Sequence, residues 1–530
     1  MADNTWREVA KTDDIESGSF KSVELSEEES VLLVRQGTEL HAWADACPHV
    51  GCPLSFGHLA DGVLICPCHN ARFDATTGAV ISPPALDDLA RYDVREEDGL
   101  VYVGERHEAT FEKPQGHDER TVAIVGAGAA GGMAAEQLRR EGFAGRIVMI
   151  TPEEHGPYDR PLLSKFYLVS DMSPQDIALR PASFYEKMEI ELWTGRAATA
   201  VDAGAKRVTL DDGTELAADA LVLATGSRAK VLPVPGVDLD GVHMLRNVGD
   251  AAAIRADAAG AQNVVVIGAS FIGTEAAAYL RGRGLNVTVT APESVPFEKA
   301  FGPEVGARFE SMHREQGVAF ELGTGVSRIR GSKGVESVEL ANGTILPADL
   351  VVIGVGAEPV VEYLEGSGLL ADGAVPVDGF MQTGSPGIYA VGDIARVEGT
   401  GGGSGGTGGT GGGAEAKRVE HWVVAQRHGR QVARSIMGAR EPLAFAPFFW
   451  TRQFETSFGY IGYAPRYDEI RYKGDVAGGK FLAGYFENGV LKAVGTIGKG
   501  KTAVRYGLLL DAGREITVEQ FEAGLSSIGA

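Results

Sequence analysis

Cysteine is scarce in this chain of 530 residues: there are four cysteines, and all of them fall between residues 47 and 68. Because the rest of the chain has none, a framework of disulfide bonds cannot hold the fold together. No apolar run reaches the roughly 18 residues that a membrane-spanning helix needs. The first residues, MADNTWREVAKTDD, lack the basic and apolar segments of a signal peptide. We therefore expect a cytoplasmic protein that has no membrane partner.

Basic residues are also outnumbered, since 49 lysines and arginines stand against 72 acidic residues and give a net charge of −23. An acidic surface repels the phosphates of nucleic acids and of anionic lipids, so neither is an expected partner. The apolar content of 44% and the charged content of 23% are typical of a globular protein. The length predicts about three or four domains.

The cysteines belong to two short motifs. Cys47 and His49 form C-x-H, and Cys66 and His69 form C-x-x-H. In a Rieske [2Fe–2S] cluster two thiolates hold one iron and two neutral imidazoles hold the other. We predict that these four residues are the ligands of such a cluster. The flanking sequences CPHVGCPL and CPCHNARFDATTG resemble the ligand loops of the Rieske family.

Two alternatives concern the remaining cysteines. Cys47, Cys52, Cys66 and Cys68 could together bind zinc, although a single residue between the last two is irregular for a zinc site. In Rieske proteins of the cytochrome bc type, cysteines at the places of Cys52 and Cys68 bridge the two loops. A cytoplasmic location disfavours that bond, so the sequence leaves it open. Asn70 stands where the family usually has glycine, and we expect it to tolerate a left-handed backbone.

Two glycine-rich turns are found further along the chain. Gly126, Gly128 and Gly131 form G-x-G-x-x-G between a buried strand and an alanine-rich helix, which is typical of a dinucleotide site. The acidic residue after the next strand, Glu153, can accept hydrogen bonds from ribose hydroxyls. The pattern returns in VVVIGASFIGTEAAAYL, with serine in the middle position. The residues of this second turn are Gly268, Ser270 and Gly273.

Further segments, taken together with the turns, resemble the ferredoxin reductases and the apoptosis-inducing-factor-like flavoproteins over about residues 120 to 525. These segments are PYDRPLLSK, Ala224-Thr225-Gly226, Gly392-Asp393 and EHWVVAQRHGRQVA. The resemblance implies that the first turn and these segments bind FAD. Arg160 and Lys165 would lie against FAD, Asp393 would bind its ribityl chain, and Trp422 would lie near its ring system. The second turn would bind NAD(P)H, and we favour NADH because no arginine ends the strand NVTVT.

The resemblance also implies a catalytic pair. Glu275 would approach the flavin and the nicotinamide and could form an ion pair with Lys165. The alternative is that the two residues lie on the surface and never meet. The flavoprotein part contains no cysteine, so a dithiol relay of the glutathione-reductase type is excluded. The electrons would then leave the flavin for the N-terminal cluster.

We therefore predict a multidomain chain: an all-β Rieske domain, then an α/β reductase with Rossmann-like FAD and NAD domains, and a C-terminal α+β domain. The predicted boundaries are 1–105 for the Rieske domain, 106–119 for a linker, 120–245 and 366–440 for the FAD-binding domain, 246–365 for the NAD(P)H-binding domain and 441–530 for the C-terminal domain. A glycine-rich tract at 399–413 predicts a flexible loop of unknown role.

The predicted function is an NAD(P)H-dependent flavoprotein reductase that passes electrons through FAD to its own Rieske cluster and on to an external acceptor. An oxygenase, a cytochrome and a quinone are the candidate acceptors, and the protein is a monomer or a homodimer. The alternative is a redox-sensing flavoprotein in which NADH binding controls conformation or oligomerisation. A self-sufficient oxygenase is disfavoured because the eleven histidines include no spaced set for a mononuclear iron site.

Overall fold

The computed structural model describes residues 6–398 and 418–528. It divides into two compact units, one formed by the chain up to Glu112 with Gly500–Leu508, and the other by Lys113–Lys499 with Leu509 onward. The glycine-rich tract at 399–413 falls outside the described residues. Among the described helices, none combines the length and the apolar character that a membrane span requires.

The first unit carries ten short strands, as the all-β prediction requires. They are β1 Arg7–Lys11, β2 Ser19–Glu24, β3 Ser30–Gln36, β4 Glu39–Ala44, β5 His58–Ala60, β6 Val63–Ile65, β7 Arg72–Asp74, β8 Val80–Ser82, β9 Arg91–Glu97 and β10 Leu100–His107. Six of them form an antiparallel sheet in the order β1-β10-β9-β4-β3-β2, and β5 to β8 form a small antiparallel sheet of their own.

Strand β3 packs on both faces. Its alternate residues Leu32 and Val34 belong to a core that also contains Cys47 and Cys66. The residues between them, such as Leu33, face a second core. Because side chains alternate along a strand, β3 separates the two cores and anchors the cysteine loops to the larger sheet.

The second unit begins with a segment of mixed strands and helices. These are β11 Thr121–Val125, α1 Ala129–Arg140, β12 Arg146–Ile150, α2 Ala182–Lys187, β13 Ile190–Trp193, β14 Ala198–Asp202, β15 Arg207–Leu210, β16 Glu215–Ala217 and β17 Ala220–Leu223. Two short 3-10 helices, Arg160–Ser164 and Phe166–Leu168, come after β12.

The middle segment repeats this pattern. It contains β18 Ser227–Ala229, β19 Val242–Met244, α3 Val248–Ala258, β20 Asn263–Ile267, α4 Phe271–Gly282, β21 Asn286–Ala291, α5 Glu298–Phe301, α6 Pro303–Glu315, β22 Ala319–Leu322, β23 Val326–Gly331, β24 Val335–Leu340, β25 Ile345–Pro347, β26 Leu350–Ile353 and β27 Ala357–Pro359.

The last segment is rich in strands. It contains β28 Val375–Val377, β29 Ile388–Ala390, β30 Ala395–Val397, α7 Trp422–Ile436, β31 Phe448–Gln453, β32 Thr456–Gly462, β33 Glu469–Asp475, β34 Lys480–Glu487, β35 Val490–Ile497, α8 Gly500–Asp511 and α9 Val518–Ala523. The predicted hairpin is confirmed, since β34 pairs with β35 across Asn488 and Gly489, both of which have positive φ. The sequence pattern did not predict α8.

Two parallel sheets organise the second unit. One has the order β13-β12-β11-β17-β29, and the other β19-β26-β20-β21-β22. Strand β29 joins the first sheet from beyond the middle segment, because Leu221 of β17 pairs with Ile388 of β29. Strands β11 and β20 are central in their sheets, and each leads through a glycine-rich turn into a helix. This confirms the predicted pair of dinucleotide-binding folds, whereas the residue boundaries of the domains stay predictions.

Candidate functional site

Two loops of the first unit carry the cysteines, and they close in the same way. In the first loop the backbone N–H of Gly51 donates to the carbonyl of Cys47, and the N–H of Cys47 donates to the carbonyl of Cys52, both at 2.8 Å. The same two bonds recur in the second loop. The N–H of Asn70 donates to the carbonyl of Cys66 at 3.1 Å, and the N–H of Cys66 donates to the carbonyl of Ala71 at 2.8 Å. Equivalent closures predispose both loops to present side chains toward one point.

Asn70 occupies in the second loop the place that Gly51 occupies in the first. Its φ of +60° lies in the left-handed region, as does the +75° of Gly51. The expectation for Asn70 is therefore confirmed. Its side-chain amide is buried, and both of its polar atoms lack a hydrogen-bond partner among the described residues.

The four predicted ligands form two pairs. The Cys47 and Cys66 side chains are buried, and their interaction with each other lowers the pKa of Cys66 to about 7 while it raises that of Cys47. The Nδ1 atoms of His49 and His69 face each other at 3.0 Å. Burial lowers the pKa of His49 to about 4, which keeps its imidazole neutral. Two sulfurs and two imidazole nitrogens on two loops fit the donor set of a Rieske cluster.

The other two cysteines are joined. Cys52 and Cys68 form a disulfide that bridges the two loops. The bond that the sequence left open is therefore present. The zinc alternative is wrong in its four-cysteine form, because a disulfide-bonded sulfur cannot supply a thiolate.

The first glycine-rich turn is closed by packing at its two outer positions. A Cβ at Gly126 would lie 2.2 Å from the carbonyl oxygen of Ala224, and one at Gly131 would lie 1.9 Å from that of Gly126. Gly126 also has a φ of +113°. By contrast, a Cβ at Gly128 would meet nothing within 4 Å. Glycine is therefore required where backbone meets backbone, and the N-terminus of α1 stays open at Gly128.

The second turn has the same geometry. A Cβ at Gly268 would lie 2.3 Å from the carbonyl oxygen of Gly354, and one at Gly273 would lie 2.0 Å from that of Gly268. Ser270 is the N-cap of α4, as Gly128 is the N-cap of α1, and both are extended. Serine thus departs from the motif at the position where the first turn is open.

Charged residues link the ends of the strands in the first sheet. Arg160 donates to Glu153 at 2.8 Å and to the carbonyl of Arg246 at 2.9 Å, and Arg246 donates to Asp393 at 2.8 Å. The hydroxyl of Tyr158 also donates to Glu153. The structure thus brings three predicted site residues together through Arg246, which sequence reasoning missed. Arginine carries no positional signature in a loop, so no local pattern identifies it.

The segment Ala224-Thr225-Gly226 lies at the carboxyl end of β17. The Thr225 hydroxyl donates to the carbonyl of Val360 at 2.7 Å, and Gly226 has a φ of +68°. Ala224 provides the carbonyl against which Gly126 packs. The ATG segment therefore helps to shape the first turn.

Gly392 and Trp422 lie where the last segment returns to the first sheet. The N–H of Gly392 donates to Nδ1 of His428 at 3.2 Å. Burial lowers the pKa of His428 to about 4, so this imidazole is a neutral acceptor. Trp422 is the first residue of α7.

Lys165 and Glu275 form a buried ion pair. Nζ of Lys165 lies 2.7 Å from Oε2 of Glu275, and the two side chains are 7% and 4% exposed. The alternative, two surface residues that never meet, is wrong. Oε2 also accepts from the Ser164 hydroxyl, and Oε1 accepts from the Thr451 hydroxyl at 2.6 Å. Lys165 lies 5.2 Å from the centre of the Trp450 ring.

Beyond strand β21, Glu293 forms an ion pair at 3.2 Å with the exposed Lys299. No described contact distinguishes NADH from NADPH there, so the preference for NADH stays a prediction.

Sequence reasoning also missed Thr451 and Gln453. The segment FFWTRQF contains a signal for them, since polar residues at every second position of an apolar strand indicate a buried polar contact.

Family models match three parts of the chain. The Rieske [2Fe-2S] domain matches residues 5–93, the pyridine nucleotide-disulphide oxidoreductase model matches residues 120–429, and the reductase C-terminal model matches residues 448–524. The three matches have the order of the predicted domains.

Individual relatives agree. The chain is 35% identical to apoptosis-inducing factor 3 of Homo sapiens over 97% of this chain and 85% of the relative. It is 37% identical to the benzene 1,2-dioxygenase system ferredoxin–NAD(+) reductase subunit of Pseudomonas putida, over 62% of this chain and 77% of the relative. A reductase in the crystal structure of the covalent putidaredoxin reductase–putidaredoxin complex is 31% identical with a TM-score of 0.71, over 78% of this chain and 97% of that chain.

The paired sulfurs and imidazoles, the two dinucleotide turns and these matches agree on one assignment. The chain belongs to the pyridine nucleotide-disulphide oxidoreductase family and is an oxidoreductase of the ferredoxin-reductase type, which carries electrons from NAD(P)H through FAD to its own Rieske [2Fe–2S] cluster.

Proposed function

We propose that Cys47, His49, Cys66 and His69 hold the cluster and that electrons leave the protein on the histidine side. The observation that carries this proposal is the arrangement of the two pairs. The cysteine side chains are buried at 1% exposure each, whereas His49 and His69 are partly exposed and meet through their Nδ1 atoms. An acceptor that docks from solvent approaches the imidazoles more closely than the thiolates.

The first glycine-rich turn and the charged residues at the strand ends form the proposed FAD site. When bound, FAD supplies the chemistry of accepting a hydride and releasing electrons one at a time. The residues proposed to bind it are Gly126, Gly128, Gly131, Glu153, Arg160, Lys165, Ala224, Thr225, Gly226, Gly392, Asp393 and Trp422. The turn at Gly268, Ser270 and Gly273 is proposed to bind NAD(P)H, with NADH favoured.

Lys165 and Glu275 are the proposed catalytic residues. The ammonium of Lys165 donates to Glu275 at 2.7 Å and to the carbonyl of Pro161 at 3.0 Å, and it lies against the Trp450 ring. These contacts fix a positive charge and its counter-ion in a site that excludes water. A fixed, water-excluded charge stabilises developing charge without reorganisation, which is the most effective electrostatic contribution a protein makes to a reaction.

The proposed acceptor is an oxygenase. One relative is named as the reductase subunit of a dioxygenase system, and another is a reductase in complex with putidaredoxin. This chain has a Rieske domain of its own, which we propose takes the place of a separate ferredoxin. A cytochrome and a quinone are the other acceptor classes to compare. We further propose that the protein acts in the cytoplasm as a monomer or homodimer, without nucleic acid or membrane.

The redox-sensing alternative has less support. The ferredoxin-reductase relatives, together with a cluster domain in the same chain, favour delivery of electrons over a role in which turnover is incidental. NADH-dependent dimerisation with slow turnover toward every acceptor would favour the alternative instead.

The test is an anaerobic titration with NADH and with NADPH, in which visible spectra follow the flavin and EPR follows the cluster. We expect flavin bleaching together with a reduced-cluster signal. In the variant His69→Ala the flavin should bleach without a reduced-cluster signal, because the cluster loses one of its two imidazole ligands. His58→Gln is the matched control, since His58 lies in the same unit and makes no part of the imidazole pair. Bleaching of the unaltered protein without a cluster signal refutes internal transfer.

A further inference from the structure

A series of buried polar side chains leads away from the Lys165–Glu275 pair. Oε1 of Glu275 accepts from the Thr451 hydroxyl at 2.6 Å. Nε2 of Gln453 donates to the Thr451 oxygen at 3.2 Å and to the Thr274 oxygen at 2.9 Å. Oε1 of Gln453 lies 2.7 Å from Nε2 of His313. Thr451, Gln453 and His313 are all 0% exposed. We call Thr451, Gln453 and His313 the donor chain.

The donor chain has a direction. An amide oxygen only accepts, so Nε2 of His313 must carry a proton and donate it to Gln453. Burial lowers the pKa of His313 to about 4, so the ring is neutral, and its Nδ1 has no partner among the described residues. The amide nitrogen of Gln453 then faces Thr451, which accepts that bond and directs its own proton to Glu275. One series of donors thus leads from His313 through Gln453 and Thr451 to the carboxylate, and the second donation of Gln453 goes to Thr274.

Strand β31 contacts both members of the ion pair. Trp450 lies against the ammonium of Lys165, and the next residue, Thr451, bonds Glu275. Gln453 comes two positions later on the same face, as the alternation of a strand requires. Lys165 precedes the middle segment, Glu275 lies in its helix α4 and His313 in its helix α6. Three separate stretches of sequence therefore meet at one carboxylate.

We propose that Thr451, Gln453 and His313 are positioning residues that hold the carboxylate of Glu275 oriented toward Lys165, and that they thereby set the rate at which NAD(P)H reduces the flavin. The proposal rests on the proposed role of the Lys165–Glu275 pair. An ionised carboxylate can only accept hydrogen bonds, and donors aimed at it favour that form. Removal of a donor should therefore leave the carboxylate of Glu275 less firmly oriented.

The ionisable groups nearest Glu275 are Lys165 at its side, Tyr279 one turn further along α4, and His313 behind Gln453. Asp159 and His421 interact electrostatically with Lys165, and Arg452 of β31 interacts with Tyr279. The groups through which β31 reaches it, Thr451 and Gln453, are neutral. Burial raises the pKa of Asp159 to about 6, which lies within the pH interval of the experiment, so the variants are compared with the unaltered protein at the same pH.

The principal experiment compares Thr451→Val, which removes the hydroxyl at nearly constant volume, with Thr451→Ser, which retains it. The limiting rate of flavin reduction by NADH is measured by anaerobic stopped flow across pH 5 to 9, an interval of about four units that spans raised carboxyl pKa values. We expect T451V to be about tenfold slower, the size typical of one lost hydrogen bond to a charged group, with little change in the NADH concentration at half-saturation. T451S should restore most of the rate.

Arg452→Lys is the matched control, because Arg452 is an exposed neighbour of Thr451 on the same strand and lysine keeps the charge near Tyr279. A second readout does not depend on activity: ¹⁵N NMR of histidine-labelled protein, with His313 assigned by its loss in His313→Phe, should show Nε2 protonated and Nδ1 not. If T451V loses FAD during purification, Gln453→Met takes its place and should slow flavin reduction in the same way.

The outcomes separate this inference from the proposed function. If NADH and NADPH both fail to reduce the flavin of the unaltered protein, the proposed function itself is wrong. If reduction is normal and T451V is as fast as R452K, the donor chain has no positioning role. A protonated Nδ1 on His313 likewise overturns the assigned direction.

Discussion

The two glycine-rich turns of the reductase unit place the same requirements on the backbone and differ in the residues that come after them. Both have outer glycines whose Cβ would collide with a carbonyl oxygen, at 1.9 Å for Gly131 and 2.0 Å for Gly273. After Gly131 the helix continues with Gly132 and Met133, and after Gly273 it continues with Thr274 and Glu275. Packing therefore fixes the turn, while the next two positions decide which helix carries a charge into the site.

The largest expected effect comes from erasing that difference with Glu275→Met, which gives the second helix the residue of the first. Lys165 would remain buried without its counter-ion, and breaking a buried pair from one side typically costs about 3–5 kcal/mol of unfolding free energy. Urea unfolding followed by tryptophan fluorescence measures the loss. Flavin reduction by NADH should slow as well, with FAD still bound.

The double variant Lys165→Met/Glu275→Met is the control for this prediction. It removes both charges, so it should recover much of the stability but none of the rate, because apolar replacement of a buried pair is often nearly neutral for stability. A single E275M variant that is as stable as the unaltered protein would contradict the burial of the pair.

The next effect tests the positions that the turns share. Gly131→Ala and Gly273→Ala should each destabilise the protein by about 1–3 kcal/mol or more, because the added methyl group cannot avoid backbone atoms. We expect G131A to lose FAD on dialysis and G273A to keep FAD but bind NADH weakly. Spectroscopic FAD content and NADH titration distinguish the two sites.

Gly282→Ala serves as the matched control, since it adds the same methyl group near the end of α4, where nothing lies within 4 Å. It should be neutral or slightly stabilising, because alanine favours helix over glycine by about 0.5–1 kcal/mol. Equal losses in G282A and G273A would show that the turn has no special packing.

The smallest effect is expected from Ser270→Gly, which makes the second turn match the motif of the first. The Ser270 side chain makes no capping hydrogen bond, so its removal should change stability by only a few tenths of a kcal/mol. The affinity for NADH, measured by fluorescence titration, should change by less than about threefold, which corresponds to less than one hydrogen bond. A larger loss would mean that the hydroxyl contacts the nucleotide and that the two turns are not equivalent.

The sequence predicted best where a short stretch must satisfy a local constraint. Gly126 and Gly268 both have a φ of +113° and lie beside a neighbouring strand. Only glycine adopts this backbone angle readily, so the requirement is visible in the sequence motif. Asn70 could be assigned to a left-handed position because few other residues tolerate it. Short apolar runs between turn residues likewise predicted strands such as β3, and the segment ENG between two such runs predicted the hairpin of β34 and β35.

The tertiary structure decided what distant side chains do to one another. The sequence left open whether Cys52 bonds Cys68 and whether Lys165 meets Glu275, and it offered no reason to connect Arg246 with Asp393 or Thr451 with Glu275. A hydrogen bond between residues 176 positions apart, as between Thr451 and Glu275, imposes no spacing on the chain. The sequence by itself determined the kinds of cofactor and the turns that suit them. Only the fold determined which polar groups share a proton or a charge, because it brings three separate stretches of sequence to one buried carboxylate. Buried polar groups must find partners, and that requirement arises only after the chain has packed.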